Sequence, residues 1–265
     1  LHLPAAHPPA AIIVRDAQRR LVGLFPLVSG RMPLLPGAVH AYTTPYHPVG
    51  VPLLDRLQAP AVLSAALNWL DAHSHALPGF GPGATGVAGM LWPDIPQDGL
   101  FARALRDSAR RDGRDITLFD LRQRPVLRPA ADAQARLPQT LPARRRKDIE
   151  RLRRRLAERG QVRFEEAAAG QPLRDAVESF MVLEASGWKG ARGAALVQNA
   201  RTAGFIRSVS RMLGRMGGFS VLTLFCGGES AAAALVLETG DRSWFYKIAY
   251  EPAFASFSPG LVLAA

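Results

Sequence analysis

Three apolar runs of strand length follow one another near the end of the chain, separated only by short turns. They cover residues 219–226, 231–238 and 243–250, and the two turns contain Gly227-Gly228 and Gly240. Connections this short join antiparallel neighbours, because a parallel pair needs a crossover of a dozen or more residues. The sequence therefore predicts an antiparallel sheet, whose apolar face must be covered by helices or by a second sheet.

Helices and further strands are predicted on both sides of the chain's midpoint. Pro26, inside the second strand, predicts an edge or bulged position. The pattern as a whole favours an α/β protein with mixed, mostly antiparallel sheets flanked by helices. Periodicity predicts helices over 57–73, 100–112, 144–159, 172–186 and 199–216, and further strands over 11–14, 21–28, 87–92, 115–121 and 162–165.

A stretch rich in proline and alanine over 125–142 predicts a boundary between two domains. We expect a first domain over 1–130, a linker over 131–142 and a second domain over 143–265. Each is long enough to bury a core of its own. The chain begins at Leu1, and its last five residues are typical of an opening helical turn, so we expect the natural protein to extend beyond both ends.

The net charge of +11 is concentrated in one helix. Residues 143–159 carry nine basic and three acidic side chains, around an apolar stripe of Ile149, Leu152 and Leu156. Three interpretations stay open: a solvated helix docked on the core, a surface for tRNA or DNA phosphates, and an anionic membrane surface. The helix has no aromatic residue for base stacking, and its narrow apolar stripe argues against membrane insertion.

Cysteine and histidine usage limits the chemistry. The single cysteine, Cys226, excludes a disulfide framework, and we expect neither a metal site nor a cysteine nucleophile. All six histidines precede residue 76, so chemistry in the second domain must proceed without imidazole. No apolar run approaches the roughly 20 residues that span a bilayer, and no signal peptide is recognisable. We expect a cytoplasmic protein with no transmembrane segment.

The segment 244–261 contains the strongest candidate for a ligand site. A strand ends at Tyr250, a loop carries Ser256 and Ser258, and a helix begins near Pro259 and Gly260. Free backbone N–H groups at such a helix start favour anions, with a pyrophosphate as the usual occupant. The alternative is an ordinary strand-to-helix connection.

The order of elements from residue 143 resembles the GNAT-type acyltransferase domain of the CelD-like (cellulose-biosynthesis-associated) family, which is related to the FemABX aminoacyl transferases. The resemblance rests on the Arg-rich helix closed by Gly160, the turn 185–190 (Ala-Ser-Gly-Trp-Lys-Gly), the hairpin around 228–231 and the run 249–260. It extends more weakly to 11–142, through the Arg15-Asp16 turn and the Phe-Pro-Leu of 25–27. It implies a tandem GNAT-like fold whose first unit is degenerate.

The resemblance implies an enzyme that transfers an acyl group, most simply acetyl, from acyl-CoA to an amine or hydroxyl. The acceptor would be a small molecule or a glycan or peptide precursor of envelope or polysaccharide metabolism. The resemblance further implies that the CoA pyrophosphate lies on the loop, with Tyr250, Ser256, Phe257, Ser258 and Gly260 as cofactor-binding residues. The Ser-Phe-Ser-Pro-Gly loop departs from the usual Arg/Gln-x-x-Gly-x-Gly/Ala, which also admits an aminoacyl-tRNA donor.

Attack on a thioester requires a route for the nucleophile's proton and a donor to the leaving group. We expect Glu184 as general base and Tyr246 as acid to the leaving thiolate. Trp188, Lys189 and Tyr46 are the expected substrate-binding residues. The competing interpretations are a surface carboxylate, a half-buried strand tyrosine and a tryptophan that anchors its loop. The alternative function is a non-catalytic or aminoacyl-tRNA-dependent protein that binds a polyanion through residues 144–159.

Overall fold

A computed structural model describes residues 9–29, 37–44, 49–80, 86–123, 141–239 and 242–265. The chain forms two compact units, 1–123 and 124–265. The predicted substrate-binding residue Tyr46 and most of the predicted linker lie outside the described residues.

The first unit contains one mixed sheet and two long helices. The elements are β1 (Ala10–Arg15), β2 (Leu21–Ser29), β3 (Ala38–Ala41), β4 (Leu53–Leu54), α1 (Ala59–His73), β5 (Gly89–Leu91) and α2 (Leu100–Asp112). The strands follow the order β1-β2-β3-β5, with β4 also paired to β2; all described pairs are antiparallel except β3 with β5. The helices pack against each other and cover a core that includes Phe25, Leu63 and Phe101.

Two local predictions for this unit are wrong. Pro26 lies in a central strand, because β2 pairs with β1 on one side and with β3 and β4 on the other. Its missing N–H is tolerated because β3 pairs with residues 27–29 and β4 with 23–24, which leaves Pro26 between the two. Residues 115–121 form no strand; their apolar side chains are exposed, and no strand in the described part of the chain pairs with them.

The second unit is built around an antiparallel sheet of four strands. The elements are α3 (Ala143–Ala157), β6 (Val162–Ala167), α4 (Gly170–Ser186), α5 (Trp188–Ala191), α6 (Ala200–Gly214), β7 (Phe219–Cys226), β8 (Glu229–Thr239), β9 (Arg242–Tyr250) and α7 (Pro259–Ala264). The strand order is β6-β7-β8-β9, and the sequence predicts the ends of β7, β8 and β9 to within two residues.

Helices cover both faces of this sheet. Alternate residues of β7, β8 and β9 pack beneath α3 and α7, in a core that includes Leu156, Leu224, Val236, Ile248 and Val262. The other set faces α4, which packs against α6. The predicted α/β class, with helices flanking a mixed and an antiparallel sheet, is therefore confirmed. Across the described residues, none of the helices combines the length and the apolar character that a membrane crossing requires.

Candidate functional site

A buried carboxylate marks the end of α4. Val177, Phe180 and Met181 follow the helical spacing that turns one face of α4 toward the sheet, and all three are buried. Glu184 continues that face, three and four residues after Met181 and Phe180, and is only 2% exposed. A charged group in this position needs partners, because an unpaired buried carboxylate costs several kcal/mol.

Two lysines and one backbone amide supply those partners. The Lys189 and Lys247 ammonium groups donate to Glu184 Oε1 at 3.0 and 3.2 Å. The Leu196 N–H donates to Oε2 at 2.8 Å. Lys189 also donates to the carbonyl of Ile248 at 3.2 Å, so one side chain ties α4 and α5 to β9. We call Glu184, Lys189 and Lys247 the carboxylate–lysine cluster.

The electrostatics of the cluster keep Glu184 ionised. Burial raises its pKa, but the Leu196 N–H and the two ammonium groups stabilise the charged form more strongly, so the pKa lies below its ordinary value. A carboxylate that is this well solvated by fixed donors is a weak proton acceptor at neutral pH. Its geometry is that of a group that holds neighbouring side chains in place.

The residues that directly follow α4 form the solvent-facing side of the carboxylate–lysine cluster. Trp188 is 54% exposed, and Lys189 and Arg192 both lie over its indole ring, at 5.9 and 5.2 Å from the centroid. The turn is so compact that a Cβ on Gly190 would lie 1.8 Å from the carbonyl oxygen of Ala185, which is why the position requires glycine. A short 3₁₀ helix, Leu196–Gln198, then brings the Leu196 amide to the carboxylate.

A β-bulge interrupts the pairing of β8 with β9. Leu235 is paired with Lys247, and the next residue, Val236, is paired with Phe245. Tyr246 is therefore the extra residue of the bulge. Its side chain is half-buried and its hydroxyl oxygen is buried. Bulges redirect side chains and are frequent beside active sites.

The loop after β9 contains more regular secondary structure than the sequence indicates. It contains a 3₁₀ helix, Pro252–Phe257, which Glu251 caps by accepting from the Ala253 N–H. Ser258 adopts a left-handed conformation (φ 47°) and directly precedes α7. Tyr250, Ser256 and Ser258 are exposed, Phe257 and Gly260 are half-buried, and a Cβ on Gly260 would lie 3.2 Å from Ile248.

The basic helix α3 packs beside this loop. Ile149 and Leu156 are buried, which shows that its apolar stripe docks on the core. The Arg155 guanidinium lies over the ring of Phe257, 5.4 Å from its centroid. Most of the other cationic side chains of α3 are exposed.

The structure brings together part of the predicted site. Lys189 contacts both Glu184 and Trp188. Tyr246 lies on β9, and the predicted cofactor-binding residues of the loop lie after the end of that strand. Sequence reasoning missed Lys247, although a lone lysine within the apolar run 244–250 was a usable signal. The described residues contain no group of three histidine, cysteine, aspartate or glutamate side chains arranged to hold a metal ion.

The sheet, the bulge and the loop leading to α7 give the second unit a GNAT-like α/β fold. Residues 143–265 match the family model described as the acetyltransferase (GNAT) domain. This part of the chain is therefore similar to a GNAT-type acetyltransferase domain. A search of curated proteins found no match. The relation to the CelD-like and FemABX families stays a prediction, as do the roles of individual residues.

Proposed function

We propose that the second unit transfers an acyl group, most simply acetyl, from acyl-CoA to an amine or hydroxyl. The observation that carries the proposal is the match to the GNAT domain over the whole of 143–265. The bulged strand β9, the loop with its exposed serines and the cluster at the end of α4 supply candidate groups for donor and acceptor.

In the proposed reaction the acceptor's lone pair attacks the thioester carbonyl, the C–S bond breaks and CoA leaves as a thiolate. Tyr246 donates the proton that the thiolate takes up, and water carries the proton lost by the acceptor back to the Tyr246 oxygen. The carboxylate–lysine cluster positions the acceptor side of the site. This assigns Glu184 to positioning and not to the general-base role expected from the sequence, because both of its oxygens are engaged and its pKa is lowered.

We propose that the loop 251–258 and the start of α7 receive the CoA pyrophosphate, with Ser256 and Ser258 as hydroxyl donors. The cationic charge of α3 beside Phe257 favours an anionic ligand there. An acceptor from envelope or polysaccharide metabolism is proposed from the family resemblance alone.

A second function is favoured by the exposed cations of α3. A catalytically inactive domain could bind tRNA or another polyanion through residues 144–159, and the affinity would then fall steeply with salt. The docking of Ile149 and Leu156 on the core equally fits a solvated structural helix.

Calorimetric titration of the full chain with acetyl-CoA tests the main proposal. The double variant Ser256→Asp/Ser258→Asp places two carboxylates beside the expected pyrophosphate, and Asp tolerates the left-handed backbone at 258. We expect binding of acetyl-CoA to weaken at least roughly tenfold in this variant, because like charges oppose each other. Ser208→Asp is the matched control, since Ser208 is an exposed serine of α6.

Three results are informative. Acetyl-CoA binding that the double variant weakens and the control retains supports the pyrophosphate assignment. Equal binding by all three proteins contradicts that assignment. A folded chain that binds no acetyl-CoA contradicts acyl-CoA as donor, and an aminoacyl-tRNA titration over a range of salt concentrations then tests the second function.

A further inference from the structure

We propose that Lys189 and Lys247 form a binding site for an anionic group, a carboxylate or a phosphate, on the acyl acceptor. The inference rests on the proposed acyl transfer, because it names a chemical property of the acceptor. It is carried by the charge, the hydrogen bonding and the exposure of the carboxylate–lysine cluster.

The cluster carries one more positive charge than negative. Glu184 supplies the only carboxylate that the structure shows on either ammonium group within the described residues. Both lysines meet the same oxygen, Oε1, so one negative charge is shared between two cations. A second anion would balance the cluster, and hydrogen bonds between ionised partners are the strongest that a protein makes.

The ammonium groups have donor capacity to spare. Each carries three N–H donors. Within the described residues Lys189 uses two of them, on Glu184 and on the carbonyl of Ile248, and Lys247 uses one, on Glu184. Lys247 therefore has more N–H donors available for a ligand than Lys189 has. Its hydrogen bond to Glu184 fixes the position of its ammonium group before the ligand binds.

The two lysines of the cluster are only partly exposed to solvent. The Lys189 and Lys247 side chains are 21% and 25% exposed, whereas the Glu184 side chain is wholly buried. This exposure admits a small anion but keeps the lysines largely desolvated, which strengthens charge pairing. The half-exposed indole of Trp188 lies against Lys189 and forms an apolar wall beside it.

Glu251, on the loop after β9, forms no ion pair with either ammonium group within the described residues. Its carboxylate accepts hydrogen bonds from the Ser186 hydroxyl and from the Ala253 N–H. Arg192, which also lies over Trp188, adds a further positive charge on the exposed side. The surroundings of the cluster thus favour an anion over a neutral or cationic group.

The test uses three amines that share a two-carbon chain and differ in the other end. β-Alanine carries a carboxylate, 2-aminoethyl phosphate a phosphate and ethanolamine a neutral hydroxyl. Each is titrated at constant ionic strength into the ¹⁵N-labelled full chain, and the Trp188 indole N–H resonance, assigned with Trp188→Phe, is followed. No turnover and no acetyl-CoA are needed, so failure here is separate from failure of the acetyl-CoA titration.

Lys247→Met removes the excess charge but leaves Glu184 paired with Lys189 and with the Leu196 N–H. We expect at least one anionic amine to shift the Trp188 resonance saturably and ethanolamine to leave it unmoved. We expect Lys247→Met to weaken that binding roughly tenfold or more, since a charge-assisted hydrogen bond is lost. Arg215→Met is the matched control, because it removes an exposed charge at the far end of α6.

The two anionic arms separate carboxylate from phosphate by their relative dissociation constants. If Lys247→Met fails to fold, Lys189→Met gives the same comparison with Lys247 retained. The proposal is overturned if neither anionic amine shifts the Trp188 resonance saturably. It is equally overturned if a folded lysine variant and Arg215→Met bind the anion as tightly as the unaltered chain does.

Discussion

Replacement of Glu184 by glutamine is the most informative perturbation of the second unit. The side chain keeps its volume but loses its charge, which leaves two largely desolvated ammonium groups without a counter-ion. Removal of one partner from a buried ion pair costs about 3–5 kcal/mol. Lys189 and Lys247 are 21% and 25% exposed and can turn partly toward water, so we expect about 3 kcal/mol.

The matched control lies on the same helix. Glu178 accepts both guanidinium bonds of Arg207 at 2.6 and 2.8 Å, but its side chain is half exposed. Exposed ion pairs contribute at most about 1 kcal/mol. Glu178→Gln should therefore cost much less than Glu184→Gln, although the two changes remove the same charge from α4.

Hydrogen exchange of amides in α4 and β9, followed by mass spectrometry on the intact chain, measures this difference locally. A double-mutant cycle with Lys247→Met should show the two changes to be less than additive by about 1–2 kcal/mol. The reasoning is refuted if Glu184→Gln costs no more than Glu178→Gln, or if the cycle is additive.

The pH dependence follows from the lowered pKa of Glu184. A carboxyl group with a lower pKa in the folded protein contributes stability above its unfolded pKa, near 4.5, and loses it as the pH falls through the folded value. The stability gap between the unaltered chain and Glu184→Gln should be constant near neutrality and shrink only below about pH 4.5.

Three further predictions concern packing and reactivity. Gly190→Ala should destabilise the second unit by roughly 1–3 kcal/mol or more, because the added Cβ would overlap the Ala185 carbonyl oxygen. Gly204→Ala adds its Cβ in open space and should stabilise α6 by about 1 kcal/mol. Thermal denaturation measures both changes. Leu156→Ala should cost about 2–5 kcal/mol in the same assay, and a loss under 1 kcal/mol would show that α3 is not docked. Cys226 should resist a thiol reagent such as DTNB until the chain unfolds, because burial raises its pKa; rapid labelling of the native protein would contradict its placement.

The regular elements of the second unit were predictable because their apolar periodicity coincides with their burial. Helix α4 repeats its apolar residues at helical spacing, whereas β8 is a continuous apolar run whose length and flanking short turns indicate a strand. The strand predicted over 115–121 does not form: its apolar residues are exposed, and none of the strands in the described residues pairs with them. Periodicity reports which side chains could share a face, not whether a partner is present.

The candidate site was predictable only in part, because it depends on contacts between distant segments. Glu184 and Lys189 are close in sequence, and the turn between them indicated a site. Lys247 joins them from 58 residues beyond Lys189, through the pairing of β8 with β9 and the packing of α4 on the sheet. The hydrogen bonds and charges that lower the pKa of Glu184 come from that assembly, and the positioning role of Glu184 is proposed from them.

The bulge at Tyr246 also determines which face of the sheet each residue of β9 occupies. Residues after the bulge, such as Lys247, alternate in one phase between the α4 face and the α7 face, and residues before it alternate in the opposite phase. Deleting Tyr246 would restore an unbroken ladder with Lys247 still opposite Leu235 and Phe245 still opposite Val236, so both faces would keep their residues. An insertion or deletion at a paired position of β9 would instead move the residues on one side of it to the other face of the sheet, so we expect changes in length to be tolerated at Tyr246 and not elsewhere in the strand.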